Sequence, residues 1–283
     1  MAKRVAVVTG ANKGLGLGIV KGLCKQFDGD VLLTARDECR GLTAIEALEK
    51  EGLDVKFHQL DVTDHDSIVR LRDFLKRTYG GLDILVNNAG VAFMQSSVPF
   101  AEQAIETVKI NYFGALETSA ILFPLLRPHA RVCNVSSMAA TNALKKCSPE
   151  LKSILINPDI TMEELSGYMT QFVQLAQDNK HLDEGFPDDA YGFSKIGMTV
   201  MSILQQKELD RQGFEDIIVN GCSPGFVATD MTNWQGVLTI DEGIITPLYC
   251  ALLPPNIDSP RGLIIRLKEP VDWVNFERAV ETK

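Results

Sequence analysis

Arg4-Val5-Ala6-Val7-Val8-Thr9-Gly10-Ala11-Asn12-Lys13-Gly14-Leu15-Gly16 begins with a short apolar, β-branched run and passes straight into a glycine-rich turn. Such a run reads as a strand buried on both faces, the kind found in parallel sheets. Leu15, Ile19, Leu23 and Phe27 then recur every four residues as one face of a helix. Strand, glycine turn and helix follow in the order that a nucleotide phosphate needs. Glycine lets the backbone approach a pyrophosphate, and the helix N-terminus presents free N–H groups and the positive end of its dipole. The spacing is Gly-x3-Gly-x-Gly rather than the commoner Gly-x-Gly-x2-Gly, yet the flanking strand and helix favour a nucleotide turn over a plain tight turn.

Working outward, Val31-Leu32-Leu33-Thr34, Val55-Lys56-Phe57-His58-Gln59-Leu60 and Leu82-Asp83-Ile84-Leu85-Val86 read as strands two to four. Arg131-Val132-Cys133-Asn134-Val135, Ile217-Ile218-Val219-Asn220 and Leu263-Ile264-Ile265 read as strands five to seven. Helical patterns separate them. Ile68, Leu71 and Leu75 form one apolar face with Asp64 in a capping position, and Asp37 stands in the same position before the pattern over 41–49. Unbroken alternation of strand and helix, joined by right-handed crossovers, predicts a single-domain α/β fold with a Rossmann-like, doubly wound parallel sheet of seven strands. Ligands belong at the carboxyl ends of those strands. The tail after Leu267 is expected to be irregular.

The 283 residues carry a net charge of −9 with no basic tract, which makes nucleic acid and anionic membranes poor partners. The chain enters its first strand within a few residues, leaving no room for a signal peptide, and no apolar run approaches the roughly 20 residues of a membrane span. A cytoplasmic enzyme is expected. The six cysteines, Cys24, Cys39, Cys133, Cys147, Cys222 and Cys250, lack metal-type spacing and read as free thiols.

Tyr191-Gly192-Phe193-Ser194-Lys195 sets a phenol and an ammonium four residues apart, on one face of a helix. A neighbouring positive charge stabilises the phenolate and lowers the tyrosine pKa from about 10 toward the range useful for acid-base catalysis. The spacing alone also fits a surface tyrosine beside a solvated lysine. Its weight comes from the motifs around it.

Those motifs, Thr9 to Gly16, Leu60-Asp61-Val62, Asn87-Asn88-Ala89-Gly90, Asn111, Asn134-Val135-Ser136-Ser137, Tyr191-x3-Lys195, and Pro224-Gly225 through Thr229-Asp230, occur in one order along nearly the whole chain. The chain resembles the short-chain dehydrogenases/reductases, and within them the NADPH-dependent carbonyl reductases. The resemblance implies that Tyr191 protonates a carbonyl oxygen held by Ser137 while hydride passes from the nicotinamide to the carbonyl carbon. Lys195 is implied to tune Tyr191 and bond the nicotinamide ribose, and Asn111 to support a water chain. A helix-interior Asn bonded to its own backbone is the other reading of Asn111. Ser136 is implied to be structural.

For the cofactor, NADPH/NADP, the resemblance implies contacts from Gly10, Asn12, Lys13, Gly14, Leu15 and Gly16. Asp61 and Val62 are implied at the adenine and Asn87, Ala89 and Gly90 along the ribose. Pro224, Gly225, Val227 and Thr229 would cover the nicotinamide. Arg36, at the end of the second strand, where an NAD enzyme has a carboxylate, suits bidentate recognition of a 2′-phosphate, with Lys13 as a second cation. Quinones, ketones and aldehydes are the implied substrates, in an apolar cleft of Ala92, Phe93, Met138, Phe226 and Met231. Phe226 stands where related reductases commonly have Trp.

A helical insertion spans about 144–189 and carries the capping box Thr161-Met162-Glu163-Glu164, then Leu165, Tyr168, Met169, Phe172 and Leu175 at helical spacing. Tyr168 and Met169 read as core residues. The insertion implies a monomer, folded over the helix pair that relatives use for assembly. A catalytically idle cofactor-binding protein and a lipid or prostaglandin alcohol dehydrogenase working oxidatively are the competing readings.

Overall fold

Val5, Ala6, Val7 and Val8 are all fully buried, as a strand covered on both faces requires. A computed structural model describes residues 3–94 and 97–277. In it β1 (Val5–Val8) lies inside an eight-stranded sheet with β2 (Asp30–Ala35), β3 (Lys56–Gln59), β4 (Leu82–Asn87), β5 (Leu126–Val135), β6 (Ile218–Ser223), β7 (Ile264–Arg266) and β8 (Glu269–Pro270). The order is β3-β2-β1-β4-β5-β6-β7-β8. Pairings from β3 to β7 are all parallel, and β8 pairs antiparallel with β7 through Ile265 and Pro270. The predicted seven-stranded parallel sheet is therefore corrected to seven parallel strands plus a short antiparallel eighth. The chain turns back at Leu267 and Lys268, both at positive φ, so two residues of the expected irregular tail reach the sheet edge.

Alternate strand residues feed opposite cores. Ala6, Val8, Val31 and Leu33 pack with the helices Gly14–Gln26, Glu38–Lys50 and Ile245–Ala251. Val5, Val7, Leu32 and Leu85 pack instead with His65–Thr78 and the end of Ala190–Gln212. The caps fall where the sequence sets them: Asp37 accepts from the Arg40 N–H at 2.9 Å and Asp64 from the Asp66 N–H at 3.1 Å. Strand order reverses between β1 and β4, which opens a crevice at their carboxyl ends.

The insertion folds as two helices, Pro149–Leu155 and Met162–Gln177, the second opened by its capping box. Its Leu165, Met169 and Phe172 are fully buried, and Tyr168 is half-buried against the same cluster. Phe172 lies 4.4 Å, centroid to centroid, from Phe193 of the Tyr191 helix. Burying a phenylalanine contributes about 1.5–3 kcal/mol, so this helix is anchored on the body of the fold. Tyr112 exchanges a 2.9 Å hydrogen bond with Ser166 and fastens it to the segment after Asn111. Among the described residues, no helix is long and apolar enough to cross a membrane.

Candidate active site

The crevice is a cleft of about 1230 Å³. Its floor is a clasp between the loops that follow β1 and β4. Thr9 Oγ1 accepts from the Asn88 and Ala89 N–H groups at 3.0 and 2.9 Å, and Asn88 Nδ2 donates to the Thr9 and Gly10 carbonyls at 2.9 and 3.1 Å. Gly10 has φ +61, and a Cβ there would stand 2.8 Å from Ala89 Cα, so only glycine lets the loops touch. Every residue expected at the cofactor lines this cleft except Asn87.

Asn87 is buried at the end of β4, where its Nδ2 donates to Ser119 Oγ and Asn134 Oδ1 at 2.9 and 2.8 Å. Strand alternation turns it into the fold and turns its neighbour Asn88 toward the cleft. Met138 likewise stands outside the lining, which Ala139 occupies instead. Ala92, Phe93, Phe226 and Met231 do line it.

At the basic end, Lys13 and Arg36 are exposed on the cleft wall. Lys13 Nζ lies 2.8 Å from Asp230 Oδ2 across the mouth. The carboxylate of Asp37 is committed to capping its own helix. Two cations and a glycine floor suit a phosphorylated dinucleotide.

The polar end is built by the Ala190–Gln212 helix, whose N-cap Asp189 accepts from the Gly192 N–H at 2.7 Å. That cap holds Tyr191 in the first turn, with Lys195 one turn on. Lys195 Nζ sits 5.6 Å from the Tyr191 ring centroid and donates to the Val135 carbonyl at 2.7 Å. Burial pushes the Tyr191 phenol up to about 12, against a hydrogen bond with Ser137 and aided by the nearby Asp189 charge. Burial also pulls the Lys195 ammonium down to about 8. The expected lowering of the tyrosine pKa is thus not found for the protein alone: desolvation outweighs the Ser137 hydrogen bond. At neutral pH the phenol carries its proton.

Asn111 does not line the cleft. It sits fully buried in a π-helical turn, Val108–Gly114, a distortion frequent at functional sites. Its amide accepts from the Val91 N–H at 2.8 Å and donates to the Val91 carbonyl at 3.0 Å and to Ser194 Oγ at 2.9 Å. It therefore ties the loop after β4 to the tyrosine helix rather than bonding its own turn. Ser136 bonds Thr199 Oγ1 at 2.6 Å beneath the site, consistent with a structural part. Cys222 is buried, with its sulfur 3.4 Å from that of Cys133, and is absent from the lining.

Sequence reasoning missed Asn88, Asp189 and Trp234 as cleft residues. An acidic residue before a helical run signals an N-cap, which would have found Asp189. Strand alternation would have chosen Asn88 over Asn87. Trp234 carried no such signal.

The short chain dehydrogenase profile matches residues 4–149, more than half of the chain. The chain belongs to the short chain dehydrogenase family. Within this family it is 49% identical to carbonyl reductase (NADPH) 1 of Oryctolagus cuniculus, over 96% of this chain and 99% of that protein. It is 47% identical to carbonyl reductase (NADPH) 3 of Rattus norvegicus, over 95% and 98%. Among solved short chain dehydrogenase folds, salutaridine reductase from Papaver somniferum matches with a TM-score of 0.83 at 31% identity, over 93% of this chain and 99% of that one.

Proposed function

We propose that this protein is an NADPH-dependent carbonyl reductase acting on ketones, aldehydes or quinones, with Tyr191 as the proton donor. The observation that carries the reading is the placement of Tyr191, Ser137 and Lys195 on the wall of the same cleft whose floor is the glycine turn and whose basic end holds Lys13 and Arg36. Burial favours the neutral phenol, the form that gives its proton to a carbonyl oxygen. The names of the reductases it resembles support the same cofactor and reaction class.

NADPH supplies the hydride when bound. The chain's own residues bind and orient it: Lys13 and Arg36 hold the 2′-phosphate, the Gly10–Gly16 turn takes the pyrophosphate, and Asp61 and Val62 border the adenine. Ala89 and Gly90 flank a ribose, and Pro224, Gly225, Val227 and Thr229 cover the nicotinamide. Ser137 holds the carbonyl oxygen against the Tyr191 hydroxyl. Lys195 would offer the ribose the ammonium hydrogens that its Val135 bond leaves over, and the proton that Tyr191 gives up would be replaced from water. Asn111 keeps Val91 and Ser194 in register, which positions both walls of the site. Phe226, Phe93, Ala92 and Met231 offer apolar contact to the rest of the substrate. Six unjoined thiols suit the reducing cytosol, and the insertion helix packs on Phe193 of the Tyr191 helix and on Tyr112 just after Asn111, the helix pair that relatives use for assembly, which favours a monomer.

The test is consumption of NADPH by the purified protein against a panel of quinones, ketones, aldehydes and hydroxy-lipids. Reduction of carbonyls supports the proposal. Activity only with NADP and an alcohol would favour the oxidative reading, and no turnover with any member would favour an idle cofactor binder.

A further inference from the structure

Asp230 brings a negative charge to the basic end of the cleft. Its Oδ2 lies 2.8 Å from Lys13 Nζ, and its carboxylate also accepts from the Trp234 indole. More than half of each side chain of the ion pair is exposed, 61% for Lys13 and 53% for Asp230. An exposed pair is weak, so a stronger anion can take its lysine.

The two partners are not equally free to move. The loop that carries Asp230 is tied down: the Thr229 N–H donates to Thr232 Oγ1 at 3.1 Å, the Trp234 N–H to the Thr229 carbonyl at 2.9 Å, and the Ala228 N–H to the Leu238 carbonyl at 2.8 Å. Those ties hold Asn233 and Trp234 at consecutive positive φ values of 48° and 59°, a region that side chains rarely enter unless the surroundings enforce it. Beneath the loop lies the glycine turn itself, since a Cβ on Gly14 would stand 3.6 Å from Thr229 Cγ2. Lys13 hangs from that turn by a flexible four-carbon stem. The carboxylate is fixed and the ammonium can swing.

Sheet order says which way it has to swing. Arg36 follows β2 on one flank of β1, whereas Asp230 follows β6 on the other, beyond β4 and β5. Lys13, in the turn after β1, stands between them and is paired to the β6 side. A 2′-phosphate gripped by Arg36 therefore gains Lys13 only by drawing it off Asp230. We infer that Asp230 is a specificity residue for the cofactor, an internal counter-ion that competes with the 2′-phosphate for Lys13 and so holds down the preference for NADPH over NADH. NADH has no 2′-phosphate, leaves the Lys13–Asp230 pair intact and escapes this cost. The looser hold also eases departure of the oxidised cofactor, and product release limits turnover in many enzymes. This role rests on the reading, above, that Lys13 and Arg36 hold the 2′-phosphate.

The test is the dissociation constant of NADPH and of NADH, measured by isothermal titration calorimetry without substrate. Asp230→Asn removes the charge while keeping the size of the side chain and an oxygen for the Trp234 indole. It should tighten NADPH by about threefold to fivefold and leave NADH within about 1.5-fold of wild type. Lys13→Met should weaken NADPH selectively, and adding Asp230→Asn to it should change NADPH affinity by less than about 1.5-fold, because the contested lysine is gone. Unchanged or weaker NADPH binding in Asp230→Asn, an equal gain for both cofactors, or the same gain with and without Lys13 overturns the competition. Equal losses of both cofactors in Lys13→Met overturn the reading of Lys13 as a 2′-phosphate contact, and the role of Asp230 falls with it.

Discussion

Replacing Lys195 with Met should make the protein more stable near neutral pH while removing its activity. The ammonium is buried and drawn down from 10.5 to about 8, so the folded state holds a charge that burial penalises. A displacement of that size corresponds to about 3 kcal/mol. Met fills a similar volume without a charge, but the Val135 carbonyl loses its 2.7 Å donor, which costs about 1–2 kcal/mol. The net gain is about 1–2 kcal/mol, equivalent to a rise in Tm of about 2–6 °C for a chain of this length. The pH dependence follows from proton counts. Between about 8 and 10.5 the unfolded chain keeps the lysine proton that the folded protein releases, so wild-type stability rises with pH across that window. Below it both states are protonated and the whole penalty is present. The advantage of Lys195→Met should therefore be greatest below pH 8, shrink through the window, and reverse by about 1–2 kcal/mol above 10.5, where only the lost hydrogen bond remains. Thermal melts followed by circular dichroism at neutral pH and near pH 10.5 read this directly. A variant that melts below wild type at neutral pH, or a difference that ignores pH, would refute the reasoning.

Replacing Lys13 or Arg36 with a neutral residue should weaken NADPH by about tenfold or more each and NADH far less, since a charge-assisted bond contributes about 1.5–3 kcal/mol. Titration of both cofactors checks this, and equal losses for the two would show that neither cation reads the 2′-phosphate. Sedimentation at micromolar concentration should return a mass near 31.2 kDa, because the Met162–Gln177 helix covers the surface beside Phe193. A stable dimer would mean that another surface drives assembly.

Much of this architecture is written locally. Apolar β-branched runs marked β1 to β7, and Asp37, Asp64 and the Thr161–Glu164 box capped the helices they were expected to cap. The eighth strand was invisible because Glu269–Pro270 is exposed and lacks an apolar pattern; it exists through the turn at Leu267 and Lys268. At the site, motif spacing located the glycine floor, Ser137, Tyr191 and Lys195. Asn87 and Met138 do not line the cleft, because a motif gives a position but not the direction its side chain takes once the chain is folded. The pKa of Tyr191 was misjudged for a related reason: adjacency on a helix is local, whereas desolvation depends on everything packed around the ring. Trp234 reaches the cleft only through a tertiary loop with two positive φ angles, which no periodicity encodes.

The most direct measurement is NADPH consumption with one reducible carbonyl, in wild type and in Tyr191→Phe, alongside the NADPH affinity of each. Removing only the phenolic hydroxyl should lower kcat by about 100-fold or more and leave NADPH affinity within about threefold, because the ring still fills its position. A Tyr191→Phe protein that keeps more than about a tenth of wild-type turnover would contradict the assignment of Tyr191 as the proton donor.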